Sequence, residues 1–430
     1  MSPYGRIDSP RILIAGAGIG GLTTALSLHA AGLHDVRILE ACPNLREIGA
    51  GINLQPAAVR ELTELGLADA LDGMAVACGR LEFHHRYGGL IWGEPRGRGA
   101  GYDWPQYSVH RARLQELLLT AVRDRLGPEA VVTGRRVVRY EHAEGGPGVR
   151  VHVRDGSGPY SCDLLIGADG INSAVRATMF PQEGPPLGNG IWMWRGVTEG
   201  PAFLDGRTMV IVGCNARVKA VAYPVSRPGR DGRCLINWVV ESRTDEEHGD
   251  EGTRAGADWD RSVPAADVLA HLDGWRSEFL DLHATISAAP LIGRYPMIDR
   301  DPLPTWRDGR VVLLGDAAHP VYPTGSNGAS QAIVDARVLA YELAHHGIDA
   351  ALARYEEARL PQTTRILGAH RRLEPDPVLR QVEALAPDGF LDIRDVLPED
   401  GLEDIKSCTR QVTGVDAAAL NSRSSWSVAV

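Results

Sequence analysis

Three short stretches of the chain set carboxylates beside glycines in a way that suits a ligand carrying phosphates and sugar hydroxyls. In GAGIGG, Gly16, Gly18 and Gly21 follow the GxGxxG spacing, and Glu40 lies about twenty residues further on. Gly16 permits a tight turn, Gly18 lets a pyrophosphate approach the backbone, and Gly21 lets the next helix pack closely, so the phosphates rest on a helix N-terminus. Glu40 can accept hydrogen bonds from an adenosine ribose, which favours FAD or NAD over NADP with its 2′-phosphate. The second stretch, GADG, contains Asp169 and Gly170, and the third, GDAAHP, contains Asp316. Acids at strand ends of an open α/β sheet face the ligand crevice, but each Asp taken alone reads equally as a helix N-cap.

These residues need a parallel sheet to bring them together. The segment RILIAGAGIGGLTTALSLHAAGLHDVRILEA reads as a strand over 12–15, a helix with apolar Leu22, Ala25, Leu26 and Ala30, and a strand over 36–39. CDLLIGADGINSAVR and GRVVLLGDAAHP repeat the apolar strand before an acid. A loop containing Pro323, Gly325, Asn327 and Gly328 then enters a helix with a buried stripe of Ala332, Ala336, Leu339, Ala340 and Leu343, for which Gly347 is the expected C-cap. A further helix follows Asp349, with a kink expected at Pro361. Beyond Pro375 the pattern weakens, and NSRSSWSVAV reads as a loosely held tail.

Elsewhere the period changes from helical to alternating. RLEFHHRYGGLIWGEP predicts a hairpin turning at Gly88 and Gly89, and four short strands are predicted between 190 and 240. They suggest an inserted antiparallel sheet over one side of the crevice. Trp192, Trp194, Tyr223 and Trp238 supply aromatic surface for stacking a flat substrate, or in part plain sheet core. Arg195 pairs with a substrate carboxylate or with a neighbouring acid. His84, His85 and His319 lie in no motif that fixes a proton-transfer geometry, so no catalytic base is assigned.

Composition narrows the partners. The chain has 430 residues, 44% hydrophobic and 23% charged, with a formal charge of −10, so it offers no domain-wide basic surface for nucleic acid. Cys42, Cys78, Cys162, Cys214, Cys234 and Cys408 form no CxxC pair, which argues against zinc, a redox dithiol or a disulfide framework. The apolar run 12–28 mimics a signal segment, but its glycine spacing argues for a buried strand and helix. The expectation is a cytoplasmic protein, monomer or homodimer, without membrane or metal.

In order and spacing, the three motifs resemble those of the single-component FAD-dependent aromatic hydroxylases, the group A flavoprotein monooxygenases, over roughly residues 10–372. NLQPAAV, PQYSVHRARLQ, WMWRGVTE, YPMIDRDPLP and YPTGSNGASQAI are most similar to the phenazine-carboxylate hydroxylase branch. The resemblance implies an α/β fold like that of para-hydroxybenzoate hydroxylase: a Rossmann-like FAD-binding domain, an inserted antiparallel β-sheet substrate domain and a C-terminal helical region. The FAD-binding domain would comprise 1–77, 105–180 and 291–347, the substrate domain 78–104 and 181–290, and the helices and tail 348–430.

It further implies that Asp316 bonds the FAD ribityl chain and that Pro323, Gly325, Asn327 and Gly328 run along the isoalloxazine. Arg111 and Arg46 would approach the cofactor, although Arg111 also reads as a solvated arginine at a helix start. Val137 would give a backbone contact to adenine, Asp169 would serve FAD and nicotinamide alike, and Ile19 and Gly51 complete the implied cofactor set. The implied activity is hydroxylation of an electron-rich (hetero)aromatic molecule with O2 and transiently bound NADH or NADPH, through a flavin C4a-hydroperoxide. The branch resemblance suggests a fused heteroaromatic acid hydroxylated where its carboxylate leaves. Two alternatives stand beside this: a flavin oxidase or dehydrogenase taking hydride from its substrate, and a flavin-binding regulator without turnover.

Overall fold

The computed structural model describes residues 10–45, 50–214, 216–243, 262–373, 377–397 and 416–428. At its centre is a six-stranded sheet ordered Arg307–Asp308, Val311–Leu313, Leu164–Gly167, Ile12–Ala15, Val36–Leu39, Val131–Val132, parallel except for the first strand. Its inner strands are continuous apolar runs, buried along their length in one core shared with helices Ile19–Ala30 and Gly328–His345 and with the three-stranded sheet Tyr160–Cys162, Val149–Val153, Val137–His142. Helix Ile19–Ala30 is buried over most of its length, and its hydroxyls are satisfied locally, Thr24 Oγ1 donating to Gly20 O at 2.7 Å and Ser27 Oγ to Thr23 O at 2.7 Å. It packs against helix Gly328–His345, whose predicted stripe is buried as expected.

The register decides the function of this sheet. Ala15 pairs with both Leu39 and Gly167, and Gly167 pairs with Leu313, so the strands preceding Gly16, Glu40, Asp169 and Asp316 end side by side.

The second large sheet has seven strands, in the order Gly293–Asp299, Leu187–Pro201, Arg233–Arg243, Val218–Pro224, Thr208–Cys214, Arg80–His84, Leu90–Pro95. The predicted hairpin and four strands all lie within it. All its pairings are antiparallel except that of Thr208–Cys214 with Arg80–His84, which is parallel because the hairpin reaches the sheet from a distant part of the chain. One boundary is corrected: Gly293–Asp299, expected in the third FAD-binding segment, is the edge strand of this sheet. Pro296 masked it in the sequence, since proline is tolerated at such an edge.

Two expectations near the C-terminus also change. Gly347 is not a left-handed cap; the helix ends at His346 in extended conformation (φ −136°, ψ 156°), and helix Ile348–Leu373 begins at once and runs through Pro361. Residues 416–428 are not loosely held. Leu420 enters the main core, and Arg60 donates to Leu420 O and Arg423 O at 2.8 Å each, while its Nε meets Glu64 at 2.9 Å. Arg423 bonds the buried Glu61 and lies over the Trp426 ring, and Ser427 accepts from Arg337 at 3.0 Å. These contacts span most of the chain length, so nothing local to the tail announces them.

Arg60→Met leaves two backbone carbonyls without their side-chain donor and takes one donor from Glu64, which keeps Arg337 and Ser425. It is expected to cost about 3 kcal/mol in a urea titration and to open 416–428 to limited proteolysis.

Candidate functional site

At the glycine turn the three glycines have distinct constraints. Gly16 has φ +99°, and a Cβ there would lie 2.6 Å from Ala168 O. A Cβ on Gly21 would lie 2.0 Å from Gly16 O, so helix and turn touch through bare backbone. A Cβ on Gly18 would meet nothing within 4 Å, leaving room beside the N-terminus of the helix that starts at Ile19. Glu40 accepts from Ala17 N and Cys42 N at 2.7 Å each, which fixes the carboxylate and leaves lone pairs for further donors. Arg135 N donates to Glu40 O at 2.7 Å, and Val137 opens its strand two residues later, on the same side of the turn.

Asp169 and Asp316 have different environments. Asp169 accepts from Ser173 Oγ at 2.5 Å, Ala174 N at 2.8 Å and Val175 N at 3.3 Å, so the capping reading holds for its side chain although Ser173 occupies the cap position. Burial nevertheless raises its pKa above the usual carboxylate range. Burial also raises Asp316, against the opposing pull of His319 and Arg111. The Arg111 guanidinium is lowered by burial and by Arg195, with Asp316 acting the other way. Asp316 and Arg111 are both water-accessible, yet protein surrounds their charges on most sides. Arg111 opens helix Arg111–Leu126 with a water-accessible side chain set in the fields of Arg195 and Asp316.

The loop 323–328 follows Asp316. Pro323 is exposed and precedes the turn Thr324–Ser326, in which Gly325 (φ +67°) and Ser326 (φ +59°) are both left-handed, a local strain that surrounding contacts must hold. Gln55, absent from the sequence reading, supplies one of them, its Nε2 donating to Gly325 O at 2.8 Å while its backbone N donates to Ser330 Oγ at 3.0 Å. Arg176 supplies another link. Fully buried, it chelates Glu183 and donates to Ala317 O at 3.1 Å and Ala318 O at 2.9 Å, tying the helix after GADG to the turn carrying Asp316. Gly328 opens the helix after Asn327, 3.7 Å from Asp316 Oδ1 to its would-be Cβ. Gly51 N donates to Asn237 Oδ1 at 2.6 Å and Gly51 O accepts from Arg195 at 3.0 Å, which fastens the nucleotide domain to the large sheet. Arg46 lies outside the described residues.

Side-chain alternation on the large sheet separates the substrate-side expectations. Trp194 and Trp238 face outward into a second core with Ile236, Val240 and Leu272, and Trp238 Nε1 donates to Thr198 at 3.0 Å. This packing fits the reading of these two aromatics as sheet core. Arg195 and Tyr223 face inward, beside an apolar platform of Met193, Val239, Met297 and Tyr322 flanked by Val221 and Tyr295. Tyr223 bonds Arg195 and Asn53, and burial pushes its phenol up to about 12. His84 bonds Glu82 and Gly88 O, His85 faces Glu383, and His319 bonds Asp335, so each has a structural partner. The described residues contain no cluster of His, Cys, Asp or Glu fit for a metal ion.

The open space at Gly18, the tethered Glu40 and the accessible Asp316 and Arg111 fit an extended dinucleotide. Comparison with known proteins agrees. The chain matches the family described as FAD binding domain over residues 10–274 and 295–369, and it belongs to that family. It is an FAD-dependent aromatic monooxygenase of the single-component class, which uses NAD(P)H and O2. It is 47% identical to phenazine 1,6-dicarboxylic acid hydroxylase PhzS of Lysobacter antibioticus over 84% of this chain and 89% of that one. It is 31% identical to 6-hydroxynicotinate 3-monooxygenase of Bordetella bronchiseptica, over 83% and 89%. Among solved structures, Klebsiella pneumoniae HpxO complexed with FAD and uric acid superposes with a TM-score of 0.73 at 25% identity, covering 93% of this chain and 96% of that one. These relatives support the monooxygenase over the oxidase alternative. Among the described residues, no helix is long and apolar enough to cross a membrane.

Gly18→Ala is expected to leave the melting point of the FAD-free chain unchanged and to weaken FAD binding roughly tenfold by fluorescence titration. Gly21→Ala overlaps Gly16 O and costs the fold about 3 kcal/mol or more. A raised Tyr223 pKa means the folded state keeps its proton longer than the unfolded state does. Its contribution to stability is complete below pH 10 and lost as pH rises toward about 12. Tyr223→Phe should flatten that stretch of the stability profile.

Proposed function

We propose that the substrate is a flat heteroaromatic acid, bound on the apolar platform with its carboxylate toward Arg195 and Arg111. One observation carries this reading: on the inward face of the large sheet the Arg195 guanidinium, fixed to Gly51 O at 3.0 Å, stands beside the apolar platform with Arg111 close enough to add to its field, so the cleft between them is positive. Such a cleft favours a bound anion. Arg195 has five N–H donors; Gly51 O and Tyr223 take part of them, and its Nε is buried without an acceptor among the described residues. The guanidinium is held in place and still has donors to offer.

Each of these residues would have a defined task. Glu40, Gly18 and Ile19 hold the adenosine and pyrophosphate, with Val137 beside the adenine. Asp316, Arg111 and Asp169 hold the middle of the cofactor, and Pro323, Gly325, Asn327, Gly328 and Gly51 border its ring. When bound, FAD accepts hydride from the nicotinamide coenzyme and activates dioxygen for transfer to the substrate ring. The protein orients the aromatic carbon and keeps water out. Tyr223 is a neutral phenol at physiological pH, so it serves as a hydrogen-bonding group toward Arg195 and is no phenolate base. The fused dicarboxylate named for the Lysobacter relative and the single-ring acids handled by other relatives mark the ends of the proposed size range.

We also propose that sheet membership defines the domains, with 78–104 and 181–299 forming the substrate domain, and that the protein acts in the cytoplasm as a monomer or homodimer.

The test is kinetic. NADH or NADPH should bleach the flavin anaerobically, and heteroaromatic acids should accelerate bleaching more than their neutral amides. Arg195→Met should raise KM for the acid by a factor of roughly ten to one hundred while FAD affinity holds. Equal rates with acid and amide would overturn the assignment of an anionic substrate, and bleaching by substrate alone would restore the oxidase reading.

A further inference from the structure

A buried hydrogen-bonded chain runs beneath the flavin-side loop and joins its two ends. It starts at the turn carrying Asp316, where Gly315 N and His319 Nε2 lie 3.1 and 2.6 Å from Asp335 Oδ2. Asp335 Oδ1 accepts from Arg359 Nε at 2.7 Å, and Arg359 Nη2 donates to Gln331 Oε1 at 2.6 Å. Gln331 Nε2 then donates to Asn327 Oδ1 at 3.3 Å, and Asn327 Nδ2 lies 3.3 Å from His370 Nε2. Asp335, Asn327 and His370 are wholly buried, and Arg359 and Gln331 nearly so.

Arginine has no acceptor, so its contact fixes the polarity of everything beyond it. Gln331 must present oxygen to Arg359 and nitrogen to Asn327. Asn327 in turn presents oxygen to Gln331 and nitrogen to His370. Apolar residues would fill this space without desolvating an ion pair, and replacing such a network by hydrophobic groups is often neutral or stabilising. What a polar chain adds is a unique geometry. Two of its members, Arg359 and His370, come from helix Ile348–Leu373, which the sequence reading had set apart from the nucleotide domain.

We propose that Arg359, acting through Gln331, is a positioning residue that fixes Asn327 and thereby the loop bordering the flavin ring. This rests on the assignment of residues 323–328 to the flavin. Gln331 is the link to cut. Gln331→Met removes both of its side-chain bonds at similar volume, whereas Gln331→Glu keeps an acceptor for Arg359 and loses the donor to Asn327. Gln362→Ala is the control: it removes another Arg359 contact, Nη1 to Gln362 at 2.6 Å, that leads away from the loop.

With the full chain and FAD, both Gln331 variants should bind FAD roughly tenfold more weakly and shift the visible spectrum and midpoint potential of the bound flavin. Gln362→Ala should lower the melting point and leave affinity, spectrum and potential unchanged. Gln331 variants that lose stability with all three flavin readouts unchanged would reduce the chain to a structural brace and overturn the proposal. Should neither variant fold, the wild-type chain decides: backbone hydrogen exchange across 327–335 slows on FAD addition if the proposal holds, and unchanged exchange overturns it. A wild-type chain that takes up no FAD would instead sink the reading of the site itself.

Discussion

Four parallel strands that end in register are the constraint from which the site follows. Ala15, Leu39, Gly167 and Leu313 lie next to one another across the sheet, and the ladder continues one residue further through Gly16 N to Leu39 O, Ala168 N to Ala15 O and Leu314 N to Gly167 O. The backbone at this edge is therefore fixed before any side chain acts. A slip along any of these strands would displace one acid from the crevice and leave the glycine turn, with its 2.0 Å approach at Gly21, facing the wrong neighbour. The edge also concentrates three carboxylates, of which Asp169 and Asp316 are raised by burial, and each is accommodated differently. Asp169 is met by N–H groups at a helix start, Glu40 by two backbone N–H groups, and Asp316 by the positive charge of Arg111 with His319 close by.

A second set of contacts carries this fixed edge outward. Arg176 connects the helix after Asp169 to the carbonyls just past Asp316, Gln55 holds the left-handed turn at Gly325, and Asn237 with Arg195 brackets Gly51 from the large sheet. Each is a buried or half-buried polar side chain bonded to backbone; the first two tie distant parts of the nucleotide domain together, and only the contacts at Gly51 cross to the large sheet. Position is transmitted from the parallel sheet to the substrate face through these few links, because apolar contacts resist slipping far less than they resist separation.

What the sequence revealed divides along the same line. Glycine spacing, apolar runs and terminal acids are local, and they sufficed for the nucleotide site and for most of the strands. Which face a strand turns to the ligand is a different matter. Trp194 and Arg195 are neighbours, alternation puts them on opposite faces, and an apolar run buried on both sides gives no sign of which face looks inward. Gln55, Arg176 and the tail acquire their roles from partners a hundred or more residues away, and no window of sequence contains both ends. Gly293–Asp299 was missed for a local reason, its proline, which an edge strand accepts and a central one does not.

The charge pattern at the cleft links these layers to selectivity. Arg111 belongs to a helix of the nucleotide domain and Arg195 to the large sheet, yet each lies in the other's field. Bringing the two domains together thus sets like charges close in partly desolvated surroundings, with Asp316 only partly offsetting them. On the proposed assignment, an anion between the guanidiniums would relieve that repulsion and gain bonds to both, whereas a neutral analogue of the same outline would fill the same apolar platform and leave the repulsion in place. Selection for acids over isosteric neutral compounds would then arise at the domain interface, from where helix Arg111–Leu126 and the large sheet hold their arginines, since the area of contact with the ring contributes equally to both kinds of ligand.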